Sequence, residues 1–293
     1  MQQPLIVLSP WDLLHPSEPA DMNQFGRRFL AEGDSWFSIG TLNPAKNSNL
    51  LFEMAFSKRW CAVNCAVPGD TLRRMVQMTR DPQFISLLCG PQAWEWDGLL
   101  LSAGGNDLIS AVGVSPTEPD PARRLLRPQS EWGPLADGAA RYLSDPGWGT
   151  FCTYLKANFD DLVKLRDAGP SKGKPIFIHT YACPVPREAG AGLGLGPWLL
   201  PSLVDYGIPA ADRLEVARLL LGRLAALLIE IGNDTQRYPN VHVFDTSCLA
   251  LDAALADNAG ESGDWINEIH LTWRGYEKLA VPWAAAIEAA VGA

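Results

Sequence analysis

No stretch of this 293-residue chain is apolar for long enough to cross a bilayer. The opening run Leu5-Ile6-Val7-Leu8 is too short for a secretory signal and lacks its charged flank. Charge is also sparse. Charged residues make up 19%, and 24 Lys and Arg face 33 Asp and Glu for a formal charge of −9. An acidic chain without a basic run argues against nucleic acid and anionic membrane as partners. Metal-binding spacing is missing as well. Cys61 and Cys65 form C-x₃-C, but no second Cys or His pair follows at zinc-site spacing, so no metal is expected. The six cysteines are scattered and several lie in apolar runs, which reads as buried free thiols in a reducing, cytoplasmic setting. The glycines of Gly190-Ala191-Gly192-Leu193-Gly194-Leu195-Gly196 miss the dinucleotide-binding register and follow no strand directly. No internal repeat and no linker divides residues 1–293, which read as one domain.

Apolar residues reach 47%, enough for a sizeable core. Five short apolar runs read as strands: Phe29-Leu30-Ala31, Cys61 to Val67, Leu99 to Ala103, Pro175 to Thr180 and Val241 to Asp245. They are continuous rather than alternating, as in a parallel sheet covered on both faces. Helical spacing runs over 49–60, 72–78, 82–88, about 150–168, 213–237 and about 272–291, with Pro282 expected to bend or split the last. Five strand–helix units in succession give a doubly wound α/β domain. Residues 1–26, with four prolines, read as an irregular N-terminal arm. Two Pro- and Gly-rich stretches, 108–149 and 183–209, are too long for ordinary connections and read as rim insertions, candidates for a lid.

Three strand ends carry polar, glycine-containing turns: Gly33-Asp34-Ser35, Pro68-Gly69-Asp70-Thr71 and Gly104-Gly105-Asn106-Asp107. In a parallel sheet they share one edge, where open α/β sheets bind ligands. A serine hydroxyl, a glycine N–H and an asparagine amide can then surround one point, the geometry that stabilises an oxyanion. Each turn alone is ordinary punctuation, and Ser35 alone could simply cap a helix. A serine nucleophile needs a base, and there are four histidines. His15 lies in the arm, while His179 and His242 fall inside strands and read as core imidazoles. His270 lies in the polar stretch Asp264-Trp265-Ile266-Asn267-Glu268-Ile269-His270, just ahead of the final helix.

As a set, Gly33-Asp34-Ser35, Gly69-Asp70-Thr71, Gly104-Gly105-Asn106-Asp107 and His270-Leu271-Thr272 with Gly275-Tyr276 resembles the four blocks of the SGNH/GDSL hydrolase family. The resemblance spans most of the chain. It implies a flavodoxin-like three-layer αβα sandwich on a five-stranded, mostly parallel sheet. It also implies Ser35 as nucleophile and His270 as base, with the N–H groups of Ser35 and Gly69 and the side chain of Asn106 as oxyanion donors. The implied activity is esterase, lipase, thioesterase or carbohydrate deacetylase on a small-molecule ester, with no cofactor. The G-x-S-x-G elbow of the other large serine hydrolase class is absent at Ser35.

One position departs from the pattern. The family usually places Asp three residues before the histidine, and here that residue is Asn267. An amide oxygen can accept from Nδ1–H but cannot balance an imidazolium. Asp264 is the favoured carboxylate, with Asn267 as an orienting amide and Glu268 as the alternatives. Among eleven tryptophans, Trp36, Trp132, Trp148 and Trp198 lie near Ser35 or in the insertions and are candidates for substrate contact. The leading expectation is a carboxylic ester hydrolase. A saccharide O-deacetylase and a non-catalytic binding protein on the same fold stand as alternatives.

Overall fold

The computed structural model describes residues 2–292. Its centre is a parallel sheet of six strands, one more than expected. In chain order these are β2 (Ile6–Leu8), β3 (Arg28–Gly33), β5 (Cys61–Asn64), β6 (Gly98–Ser102), β7 (Ile176–His179) and β8 (Val241–Phe244), and their order across the sheet is β2-β5-β3-β6-β7-β8. Leaving β2 aside, the order is the flavodoxin-type 2-1-3-4-5, so the chain reverses direction at β3 and β6. The extra strand comes from the arm. Ile6, Val7 and Leu8 pair with Cys61, Ala62 and Val63, because Pro4 and Pro10 flank the run without interrupting it. Pro10 then opens α1 (Pro10–Leu14), whose cap is a reciprocal Ser9–Asp12 pair.

Helices cover both faces. Phe177 and His242 on β7 and β8 face α8 (Trp273–Val291), whereas Val243 packs beneath Gly232 of α7 (Arg213–Asn233). On the α7 face lie α5 (Asp145–Ala168), tied to α7 by Lys156–Glu230, and α2 (Leu72–Met75) and α3 (Pro82–Leu88) beside α5. Pro282 sits inside α8 without ending it. Leu279, Ala280, Trp283 and Ala284 are all buried around it, and their packing offsets the missing N–H.

Residues 49–60 are not helical. Leu50, Leu51 and Met54 are buried through a turn, and the strand β4 (Ala55–Phe56) then pairs antiparallel with β1 (Gln3–Pro4). The helix expected over 72–78 closes at Met75, and α5 begins five residues before the expected position, where the Ser144 hydroxyl caps the Gly147 N–H. The 108–149 stretch holds the end of α4 (Gly105–Val112) and several 3-10 turns, and it packs on α5. Within 183–209 lies α6 (Leu200–Asp205). No helix of the described residues is long and apolar enough to span a membrane.

Candidate active site

Ser35 sits where β3 meets the turn that follows it, at the sheet's point of reversal. Gly33 closes the strand against β6, where a Cβ would lie 2.8 Å from Ser102 Cβ. Asp34 shapes the turn. Its Oδ1 accepts from the Trp36 N–H and the Ser102 hydroxyl, and its Oδ2 accepts from the Tyr181 hydroxyl at 2.6 Å. Burial pushes the Asp34 carboxyl up to about 6, against the opposing pull of these three donors. Backbone bonds from Asp34 N to Ser102 O and from Val67 N to Gly33 O stitch the three strand-end turns together.

His270 meets the serine from the far end of the chain. Its Nε2 lies 2.6 Å from Ser35 Oγ, and its Nδ1 lies 2.9 Å from Asn267 Oδ1. The neighbours of Asn267 settle the proton positions. Its Nδ2 donates to the Gly40 carbonyl at 2.7 Å, while Oδ1 also accepts the backbone N–H groups of Ile269 and His270. A reversed amide would set N–H against N–H at two places and O against O at a third. Oδ1 therefore faces the ring, Nδ1 carries the hydrogen, and Nε2 is left to accept from the serine hydroxyl. His270 is only 3% exposed, and this burial pulls it down to about 3, so the imidazole is neutral.

Asp264, the favoured carboxylate, does not reach the imidazole. Its Oδ2 accepts from the Asp252 N–H and from Lys278 Nζ of α8, both within 2.7 Å. The loop turns back on itself between Ile266 N and His270 O, which brings residue 267 under the ring and leaves residue 264 facing α8. Glu268 points away too. Its buried carboxylate accepts N–H groups from Arg187, Trp198, Leu199 and Leu200, fastening the second insertion beside His270. Burial raises the Glu268 carboxyl, and the four donors oppose that shift.

Ser35, Gly69, Asn106 and His270 line one cavity of about 320 Å³. Gly69 has φ +85° and open space where a Cβ would be, and neither its N–H nor that of Ser35 donates to an acceptor among the described residues. Asn106 Nδ2 places one hydrogen on the Asp70 carbonyl at 3.1 Å, which aims the amide and leaves its second hydrogen free. Two N–H groups and an amide thus border the space beside Ser35 Oγ. A second cavity also opens at Ser35, an apolar slot of about 40 Å³ that His270 does not line. Among the described residues no group of three or more His, Cys, Asp or Glu side chains is arranged to hold a metal ion.

Of the four tryptophans singled out, two are at the site. Trp36 lines the slot and donates from Nε1 to the Ile269 carbonyl, and Trp198 sets its edge on the His270 ring at 5.0 Å. Trp132 and Trp148 are elsewhere. Trp132 packs on Tyr142 and Trp148 on Phe151, because the first insertion folds down onto α5 rather than over the rim. His179 is a core imidazole stacked on Trp36, as expected. His242 is exposed on the edge strand, with Nε2 on Asn240 Oδ1. Gly40 escaped the sequence reading. A Cβ there would lie 2.9 Å from His270 Cβ and Cγ, so the glycine admits the ring, but its φ is ordinary and no turn signal marks it.

No protein-family model matches the chain, and no curated protein does. Solved structures of similar shape include an extracellular lipase from Streptomyces rimosus, at 14% identity and TM-score 0.49 over 89% of this chain and 99% of that one. A carbohydrate acetylesterase from Sinorhizobium meliloti aligns at 12% identity and TM-score 0.46, over 90% and 99%. A phospholipase A1 from Streptomyces albidoflavus aligns at 14% identity and TM-score 0.43, over 89% and 98%.

Proposed function

We propose that this chain is a serine ester hydrolase working through an acyl-enzyme on Ser35, as its resemblance to the SGNH/GDSL hydrolases implies. The observation that carries the reading is the 2.6 Å contact between Ser35 Oγ and His270 Nε2, with the imidazole held in the accepting tautomer by Asn267. In the first step Nε2 takes the hydroxyl proton while Oγ bonds to the ester carbonyl carbon, and the carbonyl electron pair moves onto oxygen. That oxygen falls among the N–H groups of Ser35 and Gly69 and the free hydrogen of Asn106. Collapse breaks the bond to the alkoxy oxygen, which leaves with the proton from His270. Water then repeats the sequence, releasing the carboxylic acid and restoring Ser35.

The surroundings of the larger cavity favour an ester of an apolar alcohol over an acetylated saccharide. Ile39, Leu42, Ala191, Leu195 and Trp198 form much of its wall, and no carboxylate or guanidinium lines it. A fluorophosphonate probe tests the nucleophile. The wild-type chain is expected to label at residue 35, and Ser35→Ala and His270→Ala are expected to lose p-nitrophenyl acetate hydrolysis with their circular dichroism unchanged. A wild-type chain that neither labels nor turns over any ester would return it to the binding-protein reading.

A further inference from the structure

The two cavities at Ser35 differ in a way that assigns the two halves of an ester. The leaving alkoxy oxygen must take its proton from His270 Nε2, so the alcohol lies in the space that the imidazole lines. Only the larger cavity is lined by His270. It also carries Gly69, and it opens between Ile39 and Leu42 on one bank and Leu195 and Trp198 on the other. The smaller one touches Ser35 and Asn106 but neither His270 nor Gly69, and its wall is Leu108, Ile109, Pro184, Leu199 and Leu221. Ile269 borders both, and the adjacent pair Trp198 and Leu199 puts one side chain into each. The Glu268 carboxylate holds the backbone N–H groups of both members of that pair, so the partition is fixed to the loop that bears the histidine.

We infer that the smaller cavity at Ser35 receives the acyl chain and limits it to about four carbons, while the larger cavity receives an apolar alcohol. This rests on the serine hydrolase reading and narrows it to short-acyl esters of bulky apolar alcohols. The volumes carry the limit. One water-sized group needs ~10–15 Å³ of such space, so about 40 Å³ holds roughly three carbons beyond the carbonyl carbon held at Ser35, against eight times that volume on the alcohol side. The alcohol bank is apolar up to its edge. Ile39, Leu42 and Leu195 are each about half exposed, and Leu193 at the tip of the glycine-rich turn is 94% exposed. Such a surface sits unpaired in water unless an apolar group covers it.

The test is a matrix of kcat/KM values for p-nitrophenyl esters of two to twelve carbons and for acetates of methanol, 1-naphthol and a long-chain alcohol. The wild-type optimum is expected at two to four carbons, falling about 10-fold or more by eight, since a methylene that does not fit costs ~10–200-fold. Naphthyl and long-chain acetates are expected to exceed methyl acetate. Leu221→Ala, on the wall of the slot, should move the acyl optimum to six or eight carbons and leave the ranking of alcohols as it was. Ile109→Ala, on a different helix, should do the same if Leu221→Ala does not fold. A wild-type optimum at eight or more carbons overturns the acyl limit. A variant that shifts the alcohol ranking instead overturns the assignment of the cavities. Either result leaves the hydrolase reading standing, whereas failure of every ester, together with failure to label, rejects that reading and this one with it.

Discussion

Replacing Asn267 with aspartate restores the carboxylate that the site lacks, and its effect can be worked from the contacts. In the proposed mechanism the imidazolium formed during attack faces a neutral oxygen, Asn267 Oδ1, 2.9 Å from Nδ1. A carboxylate there, about 4 Å from the centre of the ring charge, adds about 4 kcal/mol at an effective dielectric near 20, or ~10³ in rate. In the serine protease triad the reverse change loses ~10⁴, largely through the wrong tautomer. That part is not at stake here, because the Gly40 carbonyl already fixes the amide and through it the ring. Two effects oppose the gain. The site is buried, which disfavours the charge, and the new Oδ2 would face the Gly40 carbonyl, which now accepts at 2.7 Å. A protonated carboxyl at position 267 avoids both by donating its O–H to that carbonyl, reproducing the wild-type arrangement. Asn267→Asp should therefore match the wild type at low pH and accelerate as residue 267 ionises, reaching a plateau about 10- to 10³-fold higher in kcat. His270 in the wild type is pulled down to about 3, so its neutral, proton-accepting form persists as pH falls and the acidic limb of kcat/KM lies near pH 3. In the variant the protonated, neutral carboxyl at residue 267 leaves the imidazole as it is at low pH, so the acidic limb stays where it was and the acceleration appears as a second rise at higher pH. Rates of p-nitrophenyl acetate hydrolysis from pH 3 to 9, with melting temperatures alongside, read both effects. A folded variant slower at every pH, or a wild-type limb between pH 6 and 7, would refute the reasoning.

Three further changes separate holding the site together from chemistry. Asp264→Asn should leave kcat within about threefold and lower the melting temperature by a few degrees, because Asp264 holds Lys278 and the Asp252 N–H rather than His270. A loss of kcat above 100-fold at unchanged fold would return the carboxylate role to it. Glu268→Gln places an NH₂ group among four N–H donors, so at least one buried bond is lost, at about 1.5–3 kcal/mol. Limited proteolysis at the 190–196 turn should quicken and KM should rise more than kcat falls; unchanged cleavage would count against the anchor. His179→Phe addresses stability. Burial lowers His179 from 6.5 to about 4, so between those values the unfolded chain binds a proton that the native chain refuses, and stability falls as pH drops through that window. The phenylalanine removes that contribution, while His270 keeps acting in the same direction in both proteins. The melting-temperature curve of the variant should be flatter between pH 6.5 and 4, and parallel curves would reject the assignment.

Local pattern carried the sheet because a buried parallel strand announces itself. Phe29-Leu30-Ala31 and Leu99-Leu100-Leu101 have no polar face to alternate with, and their ends are marked by glycine and aspartate. Once the strands are parallel, geometry puts their following turns on one rim, so Ser35, Gly69 and Asn106 could be joined without knowing a single contact. The edges were harder. Val241-His242-Val243 looks buried on both faces, but β8 ends the sheet and His242 comes out into solvent. Ile6-Val7-Leu8 is masked in the sequence by its flanking prolines, although neither proline sits in the ladder that these three residues form with Cys61, Ala62 and Val63. Trp132 and Trp148 pack on Tyr142 and Phe151, away from Ser35, because where a long insertion lies depends on long-range packing that no local pattern encodes.

The loop before His270 marks the boundary between chemistry and shape. Charge balance favours Asp264, an argument about what an imidazolium wants that takes no account of the direction in which each side chain leaves the backbone. A chain that turns back between Ile266 and His270 presents residue i−3 beneath the ring and sends i−2 and i−6 outward. The two carboxylates are then free for other work, Glu268 fastening the Trp198–Leu200 segment and Asp264 fastening α8. With the carboxylates committed to structure, the position under the imidazole carries a side chain whose opposite end must donate to Gly40. Asparagine meets both demands without charge, whereas aspartate meets them only when protonated. The departure at residue 267 is thus coupled to Gly40: a change that removes the Gly40 carbonyl from reach should relax the requirement for an amide and let the aspartate of an Asn267→Asp variant ionise more readily.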